Sequence, residues 1–305
     1  MNRLFVTGAT GFVGGHVEAA VRAGDFGDCT WLPAPETLDI RDADATQAAI
    51  EEARPDAVIH LAARTFIPES FTDPWGFFEV NLRGTLNVLR ALKAIKFQGR
   101  MLYVSSGDVY GLVPESELPV DERRLPEPRS PYAVSKIASE HLTLQYHRAE
   151  GLDAVVARPF NHVGPGQDGR FVLPSLAAQI VAIARGEPAM IYAGDIDTTR
   201  DFTDVRDVVA AYGVMLRSGR PGSTYVVGSG QERSVRRILA QMCEIAGVTA
   251  EIRQDASRMR PSEQRRMVAN AGLLMRETGW KPNISFEATL IDILESARVQ
   301  FDQAK

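Results

Sequence analysis

Cysteine is scarce in this chain. Cys29 and Cys243 are the only two, and they stand far apart. They build neither a disulfide framework nor a metal cluster, and a reducing, cytoplasmic compartment is the expectation. Long apolar runs are also lacking. No stretch approaches the roughly 18 apolar residues that a membrane span needs. The opening MNRLFVTGAT breaks its apolar run at Val6 with threonine and glycine, so it does not read as a signal peptide. No G-x-S-x-G occurs, which disfavours a serine hydrolase. The five histidines have no metal-ligand spacing, so no metal site is expected. His60 reads as a satisfied core histidine, and His162 as a residue that orders its loop, with contact to substrate as the alternative. The net charge of −5 gives no electrostatic case for nucleic acid or a membrane surface. What is present is ordinary: 45% hydrophobic and 24% charged residues in 305, enough for one large domain or two closely joined ones.

The first 160 residues alternate short apolar runs with amphipathic stretches. RLFVTG (3–8), DAVIHLAA (56–63), GRMLYVSS (99–106) and LDAVVARPF (152–160) read as buried strands. FVGGHVEAAVRAG (12–24), NLRGTLNVLRALKAI (81–95) and PYAVSKIASEHLTLQYHRAEG (131–151) read as helices. That rhythm predicts parallel βαβ units and a doubly wound α/β sheet of Rossmann type. Between CTWLP (29–33) and TLDIRD (37–42) there is no room for a crossover helix, so the second unit is expected to be trimmed to a loop. After residue 160 the texture changes to turn-rich NHVGPGQDGR (161–170), a helix over 171–188, a strand–helix–strand passage over 200–230, and further helices at 234–247 and 286–301. The expected picture is a nucleotide-binding domain over 1–160 with a return segment near 200–230. A smaller C-terminal cap, 161–199 and 231–305, would hold substrate.

TGATGFVG (7–14) places Gly8, Gly11 and Gly14 three apart, directly after a strand and opening a helix. One glycine permits the tight turn, one lets a pyrophosphate approach, and one packs helix on strand. The helix N-terminus offers free N–H groups and the positive end of its dipole. A dinucleotide is the expected ligand. The acid that binds the ribose diol in NAD proteins is missing from the end of the second strand, where Pro33, Ala34, Pro35 and Glu36 stand. No arginine pair for a 2′-phosphate stands there either. Asp39 is expected to face adenine, and Arg41 reads equally as a phosphate ligand or a solvated arginine. Weak discrimination between NADH and NADPH follows.

YAVSK places Tyr132 and Lys136 four apart on a predicted helix, so both emerge on one face. An ammonium nearby is expected to stabilise phenolate and lower the tyrosine pKa from about 10. Tyr132 would then donate a proton to a ketone near neutral pH. VSSGDVYG (104–111) ends the preceding strand, at the carboxyl edge where ligands bind. A hydroxyl there polarises a carbonyl oxygen.

On these motifs the chain resembles the extended short-chain dehydrogenases/reductases. The family shows TGxxGxxG, then a hydroxyl residue three ahead of the valine of VYG, then YxxxK. The resemblance implies Ser106, Tyr132 and Lys136 as the catalytic set. It implies coenzyme contacts from Gly8, Gly11, Phe12, Val13 and Gly14, from Asp39 and Ile40, and from Leu61, Ala62 and Ala63 of HLAA. Asn81 of VNLRGT would steady the active-site helix beside the coenzyme, and Ser105 would support packing there. Tyr132, Lys136, and Pro159 and Phe160 of RPFN would complete that set, with Asn161 turned to substrate. Dehydratases of the family carry glutamate where Asp108 stands. The shorter Asp108 reads as a substrate or structural hydrogen-bonder in a chain built for hydride transfer.

The basic segment RMRPSEQRR (258–266) resembles the RPxE of GDP-mannose dehydratases and their relatives. That implies diphosphate contact by Arg260 and guanosine ribose contact by Glu263. Arg200 of TTRDF matches a further nucleotide-binding position, and Val172 would line the substrate pocket. The implied activity is NAD(P)H-dependent reduction of the C4 ketone of GDP-4-dehydro-6-deoxy-D-mannose to GDP-D-rhamnose. Rival readings are a talose-forming or heptose reductase, a 4-epimerase, and a non-catalytic dinucleotide-binding regulator. The intact Ser106, Tyr132 and Lys136 argue against the last. Helices 81–96 and 132–150 commonly pair across a two-fold axis in this family, which implies a homodimer.

Overall fold

The computed structural model describes residues 2–255 and 264–303. The first half runs β1 (Arg3–Thr7), α1 (Phe12–Ala23), β2 (Thr30–Pro33), α2 (Ala43–Ala53), β3 (Ala57–His60), α3 (Ile67–Thr72) and α4 (Pro74–Phe77). A π-helical turn, Phe78–Arg83, leads into α5 (Gly84–Ala94), followed by β4 (Arg100–Val104), α6 (Pro131–Glu150) and β5 (Asp153–Pro159). The second half continues with β6 (Asn161–Val163), α7 (Val172–Ala184), β7 (Met190–Ala193), β8 (Thr199–Asp204), α8 (Val205–Ser218) and β9 (Thr224–Val227). It ends with β10 (Glu232–Ser234), α9 (Val235–Ala246), β11 (Glu251–Gln254), β12 (Arg266–Met267), α10 (Gly272–Thr278) and α11 (Phe286–Gln303).

Six strands form a parallel sheet in the order β2-β1-β3-β4-β5-β9. These strands are buried on both faces, which is why they read as continuous apolar runs. Val6, Ile59, Leu102 and Val227 meet Val17, Val208 and Tyr212 of α1 and α8 on one face. Phe5, Val58, Met101 and Tyr103 meet Ile50, Val88 and Leu92 of α2 and α5 on the other. Each such side chain contributes about 1.5–3 kcal/mol by leaving water. The strand order reverses direction between β1 and β3, and a doubly wound sheet opens its ligand crevice at that point. This is a Rossmann-type α/β fold.

A separate core joins Leu173, Leu176 and Ile180 of α7, Leu239 and Met242 of α9, and Leu290 and Leu294 of α11. Beside it, β10, β8 and β12 form a small sheet with β6 on β8, and β11 pairs with β7. The strand–helix–strand passage at 200–230 is therefore divided between two sheets: β8 belongs to the small sheet and β9 to the large one. No helix among the described residues is long and apolar enough to cross a membrane.

The second unit differs from expectation. The interval after β2 is a loop, as its length requires, but TLDIRD leads into helix α2 and not into a strand. Asp42 caps that helix, accepting from Asp44 N and Ala45 N at 3.0 Å each. The crossover helix is present and displaced along the chain.

Candidate active site

Gly8 follows β1 with φ of 70°. A Cβ placed there would meet Ala62 N at 2.8 Å, so β3's exit loop leaves room for glycine alone. A Cβ on Gly14 would lie 2.3 Å from Ala9 O and 2.5 Å from Gly8 O. Gly11 N donates to Gly8 O at 3.1 Å and closes the turn. Gly11 caps α1 without a side-chain hydrogen bond, so the first N–H groups of that helix are offered to an anion. The crevice beside it measures about 770 Å³ and is lined by Gly8–Thr10, Ala34–Arg41, Ala62–Arg64 and the segment around Trp75. Its glycine cradle, helix terminus and size fit a nicotinamide dinucleotide.

Other coenzyme expectations fall around this cradle. Phe12 packs edge-on to His16 at 5.3 Å and stacks near His162 at 6.2 Å, tying the start of α1 to β6. Val13 packs partly buried against the α1-side core. Ile40 is buried against Gly84, whose Cβ would lie 2.4 Å from its Cδ1. Ala62 N donates to Thr7 Oγ1 at 3.2 Å, fixing the Leu61–Ala63 loop. Asp39 grips Arg41 through two oxygens, at 2.6–3.0 Å. That hydrogen-bonded guanidinium holds the Asp39 carboxyl below its usual range. Ser105 is buried just past the end of β4, and its hydroxyl has no hydrogen-bond partner among the described residues. Pro159 pairs with Val227 at the sheet edge, and Phe160 is buried against Gly107 and Tyr110.

Ser106 begins the 3₁₀ turn Gly107–Tyr110, and its Oγ accepts from Asp108 N at 3.2 Å. Ser130 caps α6, Pro131 takes its first turn, and Tyr132 and Lys136 follow one turn apart. Tyr132, Lys136 and Ser106 are all buried. Burial pushes the Tyr132 phenol well above its usual pKa, the Asp108 carboxylate pushes the same way, and the Ser106 hydroxyl opposes both. Burial pushes Lys136 down to about 7, with Glu140 opposing. The expectation that Lys136 lowers the phenol pKa is corrected: no such effect is resolved at Tyr132. Desolvation penalises both charged forms, and it is the largest cause of each shift here.

Asn81 is buried in the π-helical turn. Its Oδ1 accepts from Arg64 N at 2.8 Å, and its Nδ2 donates to Arg64 O at 3.0 Å and Ser135 Oγ at 2.8 Å. Its amide therefore steadies α6 and the loop after β3. His60 is a satisfied core histidine, bonded to Thr7 Oγ1 at 2.7 Å and Thr85 Oγ1 at 3.0 Å. Burial and then Lys136 push it down to about 3.

Among the substrate expectations, Asp108 is exposed and close enough to act on Tyr132, Asn161 is exposed at the start of β6, and Val172 is exposed on the first turn of α7. Arg200 donates to Thr199 O at 2.7 Å and Gln264 O at 3.1 Å, so it anchors the chain leaving the RPSE segment. Arg260 and Glu263 lie outside the described residues. Among those described, no group of histidine, cysteine and carboxylate side chains could hold a metal.

Two features escaped the sequence reading. The short helices α3 and α4 place Phe77 edge-on to Tyr132 at 6.3 Å, with the Arg64 guanidinium 4.5 Å from the Phe77 ring. The Asp-Pro of TDPWGF was the available signal. The second is a buried pair between Glu140 and Arg158.

The sequence profile of the family described as GDP-mannose 4,6 dehydratase matches residues 35–293. A Pseudomonas aeruginosa protein named GDP-6-deoxy-D-mannose reductase is 48% identical over 295 residues, which is 96% of each chain. A dTDP-glucose 4,6-dehydratase of Xanthomonas campestris is 31% identical, over 92% of this chain and 89% of its own. Among solved structures, RMD from Pseudomonas aeruginosa complexed with NADPH superimposes with a TM-score of 0.93 at 46% identity, over 98% of both chains.

Proposed function

The chain belongs to the GDP-mannose 4,6-dehydratase family of extended short-chain dehydrogenases/reductases, and we propose that its reaction is reduction of the C4 ketone of GDP-4-dehydro-6-deoxy-D-mannose to GDP-D-rhamnose. The observation that carries this reading is the end-to-end likeness to a GDP-6-deoxy-D-mannose reductase, on a site that holds a serine, tyrosine and lysine together.

A reduced nicotinamide dinucleotide, NADPH or NADH, supplies the hydride when bound. Gly8, Gly11, Gly14 and the α1 terminus would hold its pyrophosphate. Leu61–Ala63, Ile40 and Asp39 would take its adenosine half, and Ser105, Pro159 and Phe160 its nicotinamide half. Ser106 and Tyr132 hold the ketone oxygen of the sugar. The raised pKa of Tyr132 keeps its proton in place until an alkoxide forms. At that moment the phenol gives its proton to the oxygen. Lys136 then offsets the phenolate, and the same ammonium would hold the nicotinamide ribose. Asn81 positions the helix that carries both. Asp108 touches the sugar and does no elimination. Its carboxylate is one methylene short of the dehydratase glutamate, a retraction above about 1 Å that lowers such a step about a hundredfold.

Asn161, Val172, Arg200, Arg260 and Glu263 take the GDP-sugar. No ribose-diol acid or arginine pair follows β2, and Asp39 neutralises Arg41, so NADH and NADPH should differ less than about a thousandfold in kcat/KM, roughly 4 kcal/mol. The chain works in the cytoplasm as a homodimer through α5 and α6, and a single monomeric mass at micromolar protein would contradict that pairing. The reaction is tested by offering the 4-keto sugar as its GDP and dTDP forms with each reduced coenzyme. Loss of nicotinamide absorbance equal to the GDP-sugar added supports the reading. No loss with the GDP form, or preference for the dTDP form, contradicts it.

A further inference from the structure

Tyr132, Lys136 and Glu140 stand one turn apart on the buried face of α6. Side chains four apart on a helix are neighbours, with Cβ atoms about 5–6 Å apart. Glu140 is also gripped by β5. Arg158 donates to its Oε2 at 3.0 Å through Nε and to its Oε1 at 2.6 Å through a terminal nitrogen. The other terminal nitrogen of Arg158 donates to Tyr110 Oη at 2.9 Å. Tyr110 closes the turn that Ser106 opens. The side chains of the pair are 6% and 1% exposed, so both charges lie out of water. A buried pair of this kind gives little stability over apolar side chains of equal volume. Stability alone does not account for it.

We propose that Glu140, fixed by Arg158, is a positioning residue that keeps Lys136 protonated in its buried site. The proposal rests on the role given to Lys136 in the reaction. Among the described residues, the other groups around Lys136 do not supply its negative partner. From β4, the Tyr103 ring lies 4.9 Å from Nζ, and burial holds its phenol protonated. From β3, His60 is neutral, held down at about 3. Tyr132 on α6 itself stays protonated. Asp108, on the Ser106 turn, is exposed and acts on Tyr132. Glu122 accepts from Val226 N and faces Arg158. Arg158 is the other buried cation among the described residues, and it shares the Glu140 carboxylate with Lys136. The Glu140 carboxylate opposes the desolvation that has pushed Lys136 down to about 7. Its sign is definite: the carboxylate raises the lysine pKa, so its loss moves deprotonation to lower pH.

The test is a titration of Lys136 in the full-length, coenzyme-free protein. Lysine ¹³Cε signals are followed by NMR, and Lys136→Arg assigns the resonance. In Glu140→Gln the midpoint should fall by about one unit or more, a tenfold loss of proton affinity. Glu140→Asp should restore most of it, and Tyr110→Phe should leave it in place. Because Glu140→Gln strands a buried guanidinium, Glu140→Gln/Arg158→Met serves where the single variant does not fold; it removes both charges of the pair, so its midpoint should fall in the same direction but by less. The alkaline limb of kcat/KM should move with the NMR midpoint. An unmoved midpoint in the folded single or double variant overturns the proposal. Retained turnover in Lys136→Met would instead overturn the role of Lys136 itself, whatever Glu140 does to its titration.

Discussion

Replacing Gly14 by alanine tests the coenzyme cradle at its tightest point. The new methyl carbon would lie 2.3 Å from Ala9 O and 2.5 Å from Gly8 O. Both neighbours are backbone atoms, with no flexible end to swing aside. Ordinary contact lies near 3.5 Å, so the turn and the helix start must separate by about 1 Å. Overpacking of this kind costs about 1–3 kcal/mol, which lowers Tm by several degrees. The same displacement moves the α1 N–H groups off the pyrophosphate, and 1 Å of misplacement costs about a hundredfold. The expected result is a folded protein with a modestly lower Tm and a coenzyme Kd raised about a hundredfold. Gly15→Ala is the control. Outside its own helix and its chain neighbours, no described atom lies within 4 Å of a Cβ there, so coenzyme binding should not change. Stability should rise slightly, by up to about 1 kcal/mol, because alanine is the better helix former. Thermal unfolding and a fluorescence titration with NADPH read both quantities. Wild-type affinity in Gly14→Ala, or equal weakening in the two variants, would refute the cradle.

Tyr132→Phe removes the proton donor and leaves the ring packed on Phe77. Its kcat should fall about 10²- to 10⁴-fold with the coenzyme Kd unchanged, and unchanged turnover would contradict the assignment. Asn81→Ala strands the Arg64 backbone N–H and C=O and takes one partner from Ser135 Oγ, which keeps its bond to Tyr132 O, so it should lose about 1–3 kcal/mol of stability and lower kcat with it, as denaturant unfolding and steady-state rates would show. His60 is lowered from 6.5 to about 3 in the fold, so the unfolded chain binds the extra proton between those values. Stability should therefore decline as pH falls from about 6.5 towards 3, and a urea midpoint whose decline in that range is no shallower in His60→Gln would contradict this.

The parallel strands were legible because burial on both faces leaves Leu4–Val6 or Met101–Tyr103 with no polar interruption. Helix α2 was not legible, since only Thr46 and Ile50 of its residues are buried and its apolar stripe is thin. The π-helical turn at Phe78–Arg83 was read through, because it joins α5 without a break in helical texture. At the site, spacing alone brought Tyr132 and Lys136 onto one face. The balance of burial against charge that sets their pKa values depends on depth, which spacing does not carry. The partner of Glu140 sits on a different element, so no local pattern marks the pair.

The most direct measurement is isotopic. The protein is given GDP-4-dehydro-6-deoxy-D-mannose and NADPH deuterated at the transferable position, and the sugar is examined by NMR. The expected result is GDP-D-rhamnose with deuterium on C4 and none at C5 or C6. A deuterium-free sugar, or the label on C4 of the talose epimer, would contradict the proposed reaction.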